Sequence, residues 1–111
     1  IDPAKSLDEQ TERDLIWLRD PFMGHVGNLG RVVVHGHSIV GDRPVVTENR
    51  ISLDTGAYVS GRLTAMRIDR GSISFLQTDG TASSVVPVDP VFEDRGHGTA
   101  VDNLSSLAAA A

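Results

Sequence analysis

The chain has 111 residues, with 10 basic and 15 acidic side chains, a formal net charge of -5 and a pI near 5.1. That balance lacks the clustered cations a nucleic-acid footprint needs, and apolar runs of at most four or five residues are too short to span a membrane or serve as a signal peptide. The absence of cysteine removes disulfides and thiolate metal sites and suits a reducing, cytoplasmic setting.

An apolar content of 40% supports one small core, so one domain or part of a larger one is expected. The chain begins Ile1-Asp2-Pro3 without a methionine, which suggests a segment of a longer protein. Ser6-Leu7-Asp8-Glu9 has the spacing of a capping box. Leu7, Thr11, Leu15 and Leu18 follow at helical intervals, predicting a helix over Leu7 to Leu18 with Trp17 in the core. Asp20-Pro21 ends it, since a residue before proline avoids the helical region. Residues 21–30, with three glycines, read as a loop.

Arg31 to Val34 predicts the first strand, fully buried, because its valines branch at Cβ. It leads into His35-Gly36-His37, two imidazoles at a strand end, where metal ligands or bases are commonly delivered. Val45-Val46-Thr47 and Arg50 to Leu53 predict a hairpin across Glu48-Asn49. Asp54-Thr55-Gly56 predicts an Asx turn, with Gly56 at positive φ. Leu63 to Ile68 and Ser72 to Gln77 form the clearest hairpin, turning at Asp69-Arg70-Gly71. From Thr78 the composition thins to Gly, Ala, Ser, Asp and Pro, with room for an edge strand within Ser84 to Val91. Residues 79–111 are therefore expected to be a low-complexity, partly disordered tail, with Leu104 to Ala111 frayed helix or coil.

Three clusters could carry chemistry. His35 and His37 are either inert hydrogen-bonded histidines or ligands, and two imidazoles alone do not close a metal site. Arg19 could present its fork to a phosphate or simply favour a helix end. Asp54 could orient an imidazole from behind or serve only its turn. His25 and His97, in glycine-rich loops, are expected to face solvent.

Taken in order, Trp17-Leu18-Arg19-Asp20-Pro21-Phe22, Val34-His35-Gly36-His37-Ser38, Asn49-Arg50-Ile51-Ser52-Leu53-Asp54-Thr55-Gly56-Ala57-Tyr58 and Gly61-Arg62-Leu63-Thr64 resemble the C-terminal half of the calcineurin-like metallophosphoesterases. The resemblance covers residues 1–78 and is closest to the bacterial serine/threonine protein phosphatases, with the diadenosine tetraphosphatases beside them. It implies an α/β (α+β) fold: the C-terminal part of an αββα sandwich, here one helix followed by a mainly antiparallel sheet.

The same resemblance implies that His37 is a metal ligand and that Arg19 binds phosphate. Tyr58 falls near a site tyrosine of the eukaryotic relatives, Asp54 is structural or supports a ligand from behind, and His35 packs beside the site as a packing or hydrogen-bonding histidine. The family usually has Gly-His-Thr-Pro where this chain has Gly36-His37-Ser38-Ile39. Its Asp-x-His, Gly-Asp-x-x-Asp-Arg-Gly and Gly-Asn-His-Glu motifs do not occur in these residues. The other metal ligands would therefore lie in a missing N-terminal half of the same domain, and this segment alone would be inactive.

The implied chemistry uses two divalent ions about 3.5–4 Å apart that bridge a hydroxide. Manganese is foremost, with Fe, Zn or Ni as alternatives. The implied substrate is a phosphorylated protein, at serine or threonine, or a small phosphoester. A dinucleoside polyphosphate hydrolase is the alternative, as is a non-catalytic module that keeps the fold.

Overall fold

The computed structural model describes residues 1–81 and 83–102; the expectation for Leu104 to Ala111 lies outside them. The Ser6 capping box forms: the Glu9 carboxylate accepts from the Ser6 N–H at 3.0 Å and from its hydroxyl at 2.8 Å. The helix it opens lasts only one 3₁₀ turn, Leu7–Glu9. Gln10 and Thr11 are extended, and a second box restarts the chain as α1, Glu12–Ile16. There the Asp14 carboxylate accepts from the Thr11 N–H and hydroxyl, both at 2.8 Å.

The expected helix over Leu7 to Leu18 is thus two short pieces. Thr11, assigned to its interior, is instead an N-cap, whose extended backbone is incompatible with a continuing helix. No packed face compensates: Leu15, Ile16 and Trp17 are 58%, 50% and 66% exposed. Trp17 is therefore a surface residue, not a core one. Short helices persist only where tertiary contacts hold them.

Seven strands lie among the described residues: β1 Val33–His35, β2 Val45–Val46, β3 Arg50–Ser52, β4 Thr64–Asp69, β5 Ser72–Thr78, β6 Val85–Pro87 and β7 Val91–Phe92. One sheet has the order β1-β3-β2-β7 and the other β4-β5-β6. The hairpin β2–β3 pairs Val46 with Ile51 across the predicted turn. β1 joins β3 in parallel, Val34 opposite Ile51. This makes β1 an edge strand, with Val34 44% exposed, so the fully buried strand expected at Arg31 to Val34 is corrected. Its three valines suit a pleated strand wherever it sits, and burial depends on neighbours that β-propensity does not encode.

The expected β4–β5 hairpin forms, with pairs running from Thr64 opposite Gln77 to Asp69 opposite Ser72. Arg70 and Gly71, with φ of 48° and 85°, make the two-residue turn whose twist matches the strands. β6 extends this sheet, while β7 crosses to pair with β2 in parallel. Residues 85–92 thereby tether both sheets. Val46, Ile51, Phe75 and Ala100 form the buried core, flanked by Leu53, Met66, Ile73 and Val88.

The architecture is a mixed α and β domain with few helices and mostly antiparallel pairing. No helix among the described residues is long and apolar enough to cross a membrane.

Candidate functional site

Ile51 and Val46 point into the core, so the alternation of the pleat sends Arg50 and Ser52 to the opposite face. There the register sets His35 beside Ser52, and Phe22, only 3% exposed, closes over them. The Phe22 ring lies 5.1 Å from the His35 ring and 6.0 Å from the Arg50 guanidinium. The parallel strands β1 and β3 end side by side. A Cβ on Gly36 would stand 3.7 Å from the Asp54 carboxylate, and the Leu53 N–H donates to the His35 carbonyl at 2.9 Å. Ligands in open α/β sheets commonly bind beyond the carboxyl ends of parallel strands. Here those ends present His37 and Asp54.

The two histidines have different circumstances. His35 Nδ1 lies 3.0 Å from the Gly36 carbonyl, and its Nε2 lies 2.8 Å from the Ser52 hydroxyl. A carbonyl only accepts, so the proton belongs on Nδ1 and Nε2 accepts from Ser52. Both ring nitrogens are used, in keeping with a packing role. Burial, assisted by the nearby Arg50 charge, pushes the His35 pKa below 6.5, against the opposing pulls of its Gly36 hydrogen bond and Asp54.

A depressed histidine pKa means that the unfolded chain binds the proton more readily. The stabilising contribution is therefore complete above pH 6.5 and declines as pH falls below it. Melting midpoints measured between about pH 8 and 5 should fall more steeply for the parent than for His35→Gln. Parallel curves for the two proteins would contradict this assignment.

His37 is exposed and has φ of 68°, a left-handed conformation that a β-carbon disfavours. Its ring makes no hydrogen bond among the described residues. Its aromatic neighbour is Trp17, at 5.6 Å between centroids and 88° between planes. The imidazole thus has both nitrogens available to an outside partner.

Trp17 links His37 to Arg19. Trp17 and Arg19, with Thr11, Glu12, Arg13 and Leu18, line an open cleft of about 710 Å³. Neither Arg13 nor Arg19 forms an ion pair among the described residues. Leu18 also borders a second hollow, of about 280 Å³, lined by Phe22, His35 and His37.

Tyr58 stands elsewhere, 86% exposed on α2, Ala57–Ser60, and borders neither space. The Asp54 carboxylate accepts from the Gly56 N–H at 3.0 Å, the expected Asx turn; the helical turn that follows it was not anticipated. His97 is exposed, whereas the His25 carbonyl accepts from Asn49 Nδ2 at 3.1 Å and Arg95 at 3.0 Å.

The β2–β3 turn is the feature local sequence did not reveal. Thr47, Glu48, Asn49 and Arg50 are all within 5% of complete burial, although turns normally lie at the surface. The Glu48 carboxylate accepts from the Gly27 N–H at 2.9 Å and from Arg95 Nε at 3.2 Å, and it forms an ion pair with Arg95 Nη2 at 3.2 Å. Burial alone would raise the Glu48 pKa, but the backbone bonds and Arg95 hold it below the usual carboxylate value. Arg50 Nε and Nη1 are buried without a hydrogen-bond partner among the described residues. The strong polarity of the turn was the only signal, and it reads equally as solvent exposure.

Among the described residues, no three His, Cys, Asp or Glu side chains converge to hold a metal. His37 offers one exposed imidazole, and the described residues do not close a centre around it. Comparisons with protein-family models, curated proteins and solved structures find no match.

Proposed function

We propose that the chain forms one side of the active centre of a metal-dependent phosphoesterase, as the C-terminal part of an αββα sandwich. The carrying observation is His37: an exposed imidazole without a hydrogen-bond partner among the described residues, held at φ 68° beyond the carboxyl ends of parallel strands. Trp17 joins it to the cleft of Arg19. In this reading His37 supplies one nitrogen to a divalent ion and Arg19 grips the phosphoryl oxygens. Asp54, beside Gly36, borders the His37 loop.

The remaining ligands come from a further segment of the same domain. Bound cations, manganese foremost, supply Lewis acidity and charge neutralisation, and the hydrolytic step is not assigned to these residues alone. The substrate class is phosphate monoesters, with protein phosphoserine and phosphothreonine first, in the cytoplasm.

Purified residues 1–111 with Mn²⁺ should show no turnover of p-nitrophenyl phosphate above the metal blank. A longer chain carrying Asp-x-His and Gly-Asn-His motifs ahead of Ile1 should turn it over readily. Robust hydrolysis by residues 1–111 would refute the shared-site reading. An inert longer chain would leave a non-catalytic module.

A further inference from the structure

We infer that a hollow on the far side of Gly36 from the His35 ring is a subsite for the residue flanking the phosphorylated one in a protein substrate. It takes one aliphatic side chain together with its peptide group. The inference rests on the phosphoprotein reading proposed above and adds a sequence preference to it.

Position is the first observation. The hollow holds about 230 Å³ and is walled by Leu53, Ala57 and Leu63, with Asp54 and Arg62 as its charged groups. Gly36 lines both this space and the one bordered by His35 and His37. The two hollows therefore flank one turn, and a peptide bringing its phosphate to His37 has this space beside it. Its volume lies below the roughly 300–1,000 Å³ of drug-sized sites and suits a single side chain.

The charges are the second observation. Arg62 is half-buried and has no ion pair among the described residues, whereas the other half-buried arginine, Arg95, is paired with Glu48. The Arg62 main chain is fixed on both sides: Ser60 Oγ accepts from its N–H at 3.0 Å, and its carbonyl accepts from the Thr55 hydroxyl at 2.5 Å. One Asp54 oxygen accepts from the Gly56 N–H at 3.0 Å. The other would stand 3.7 Å from a Cβ on Gly36 and accepts no hydrogen bond among the described residues. The lining thus offers a donor and an acceptor that are not paired with each other.

That combination selects the ligand. An anion in the hollow would be repelled by Asp54 and a cation by Arg62. A peptide group is neutral and carries one N–H and one C=O, so it answers both. The apolar walls take the side chain: Leu63 is 64% exposed, and covering it with an aliphatic group removes that surface from water.

N-acetyl-leucine N-methylamide and N-acetyl-glycine N-methylamide would each be titrated into the 111-residue chain, following backbone amide resonances by NMR. The leucine probe should shift Gly36, Leu53, Ala57 and Leu63 saturably and bind about tenfold or more tightly than the glycine probe, as burial of one aliphatic side chain predicts. Arg62→Gln should weaken both probes several-fold. Leu63→Ser, at a position too exposed to govern folding, should remove most of the leucine preference. Neither probe carries phosphate, so p-nitrophenyl phosphate turnover by the longer chain tests the phosphoesterase reading separately. A leucine probe that binds no tighter than the glycine probe, or whose shifts do not gather around this hollow, would overturn the subsite and leave that reading standing.

Discussion

Replacing Glu48 by Gln is expected to lower stability by about 3–5 kcal/mol, the cost typical of removing one partner from a buried ion pair. The substitution keeps the side chain's size, so a cavity is not the cause. It removes the anion that the Arg95 fork contacts through Nε and Nη2, each at 3.2 Å. It also takes negative charge from the vicinity of Arg50, which is 5% exposed and already strained by burial and by repulsion from Arg95. Arg50 would keep the more distant charge of Glu93 and the face of Phe22, 6.0 Å away, and the ring contact contributes about 0.5–2 kcal/mol. Against a total of about 5–15 kcal/mol for a native domain, the loss is large. Calorimetry should show a midpoint lower by more than about 10 °C. A midpoint within about 2 °C of the parent would show that the buried turn does not depend on its carboxylate.

Replacing His37 by Gly should separate function from stability. In a longer chain with the upstream metal motifs, turnover of p-nitrophenyl phosphate should fall about a hundredfold or more, because Lewis-acid stabilisation amounts to several kcal/mol. In residues 1–111 the same change should leave the melting midpoint unchanged or raise it. His37 is exposed, makes no hydrogen bond among the described residues and holds φ at 68°. A left-handed residue with a β-carbon costs about 1–3 kcal/mol that glycine does not incur. Full activity in the substituted longer chain would sink the ligand assignment. A large drop in midpoint would show that the strained backbone belongs to packing rather than to a site.

The elements legible in the sequence were those specified within a few residues. Alternation and Arg70-Gly71 located the β4–β5 hairpin, and Asp54 located its own turn. The helix was misjudged because Leu7, Thr11, Leu15 and Leu18 satisfy helical spacing while Thr11-x-x-Asp14 independently satisfies a cap, and local geometry prevailed. Trp17 was misplaced because its ring contact among the described residues is the edge-on one with His37, which leaves it largely exposed. The buried turn at Thr47 to Arg50 was hidden for the converse reason: its cover comes from Gly27 and from Arg95, each far along the chain. In the candidate site, residue type and spacing left His35 and His37 equivalent. The hydrogen bonds of His35 to Gly36 and Ser52 distinguish them.

The Glu48–Arg95 pair also bears on the order in which the chain can assemble. Its partners are 47 residues apart, and β7 reaches β2 over a similar span, Val91 opposite Val45. Closing a loop of that length is paid for in chain entropy before the contact returns anything. The β4–β5 hairpin closes through two residues and owes nothing to that search. As the chain leaves the ribosome, the β2–β3 turn emerges dozens of residues ahead of the cation that permits its burial. The sheet carrying the histidines is therefore completed only after residues 91–95 have been made.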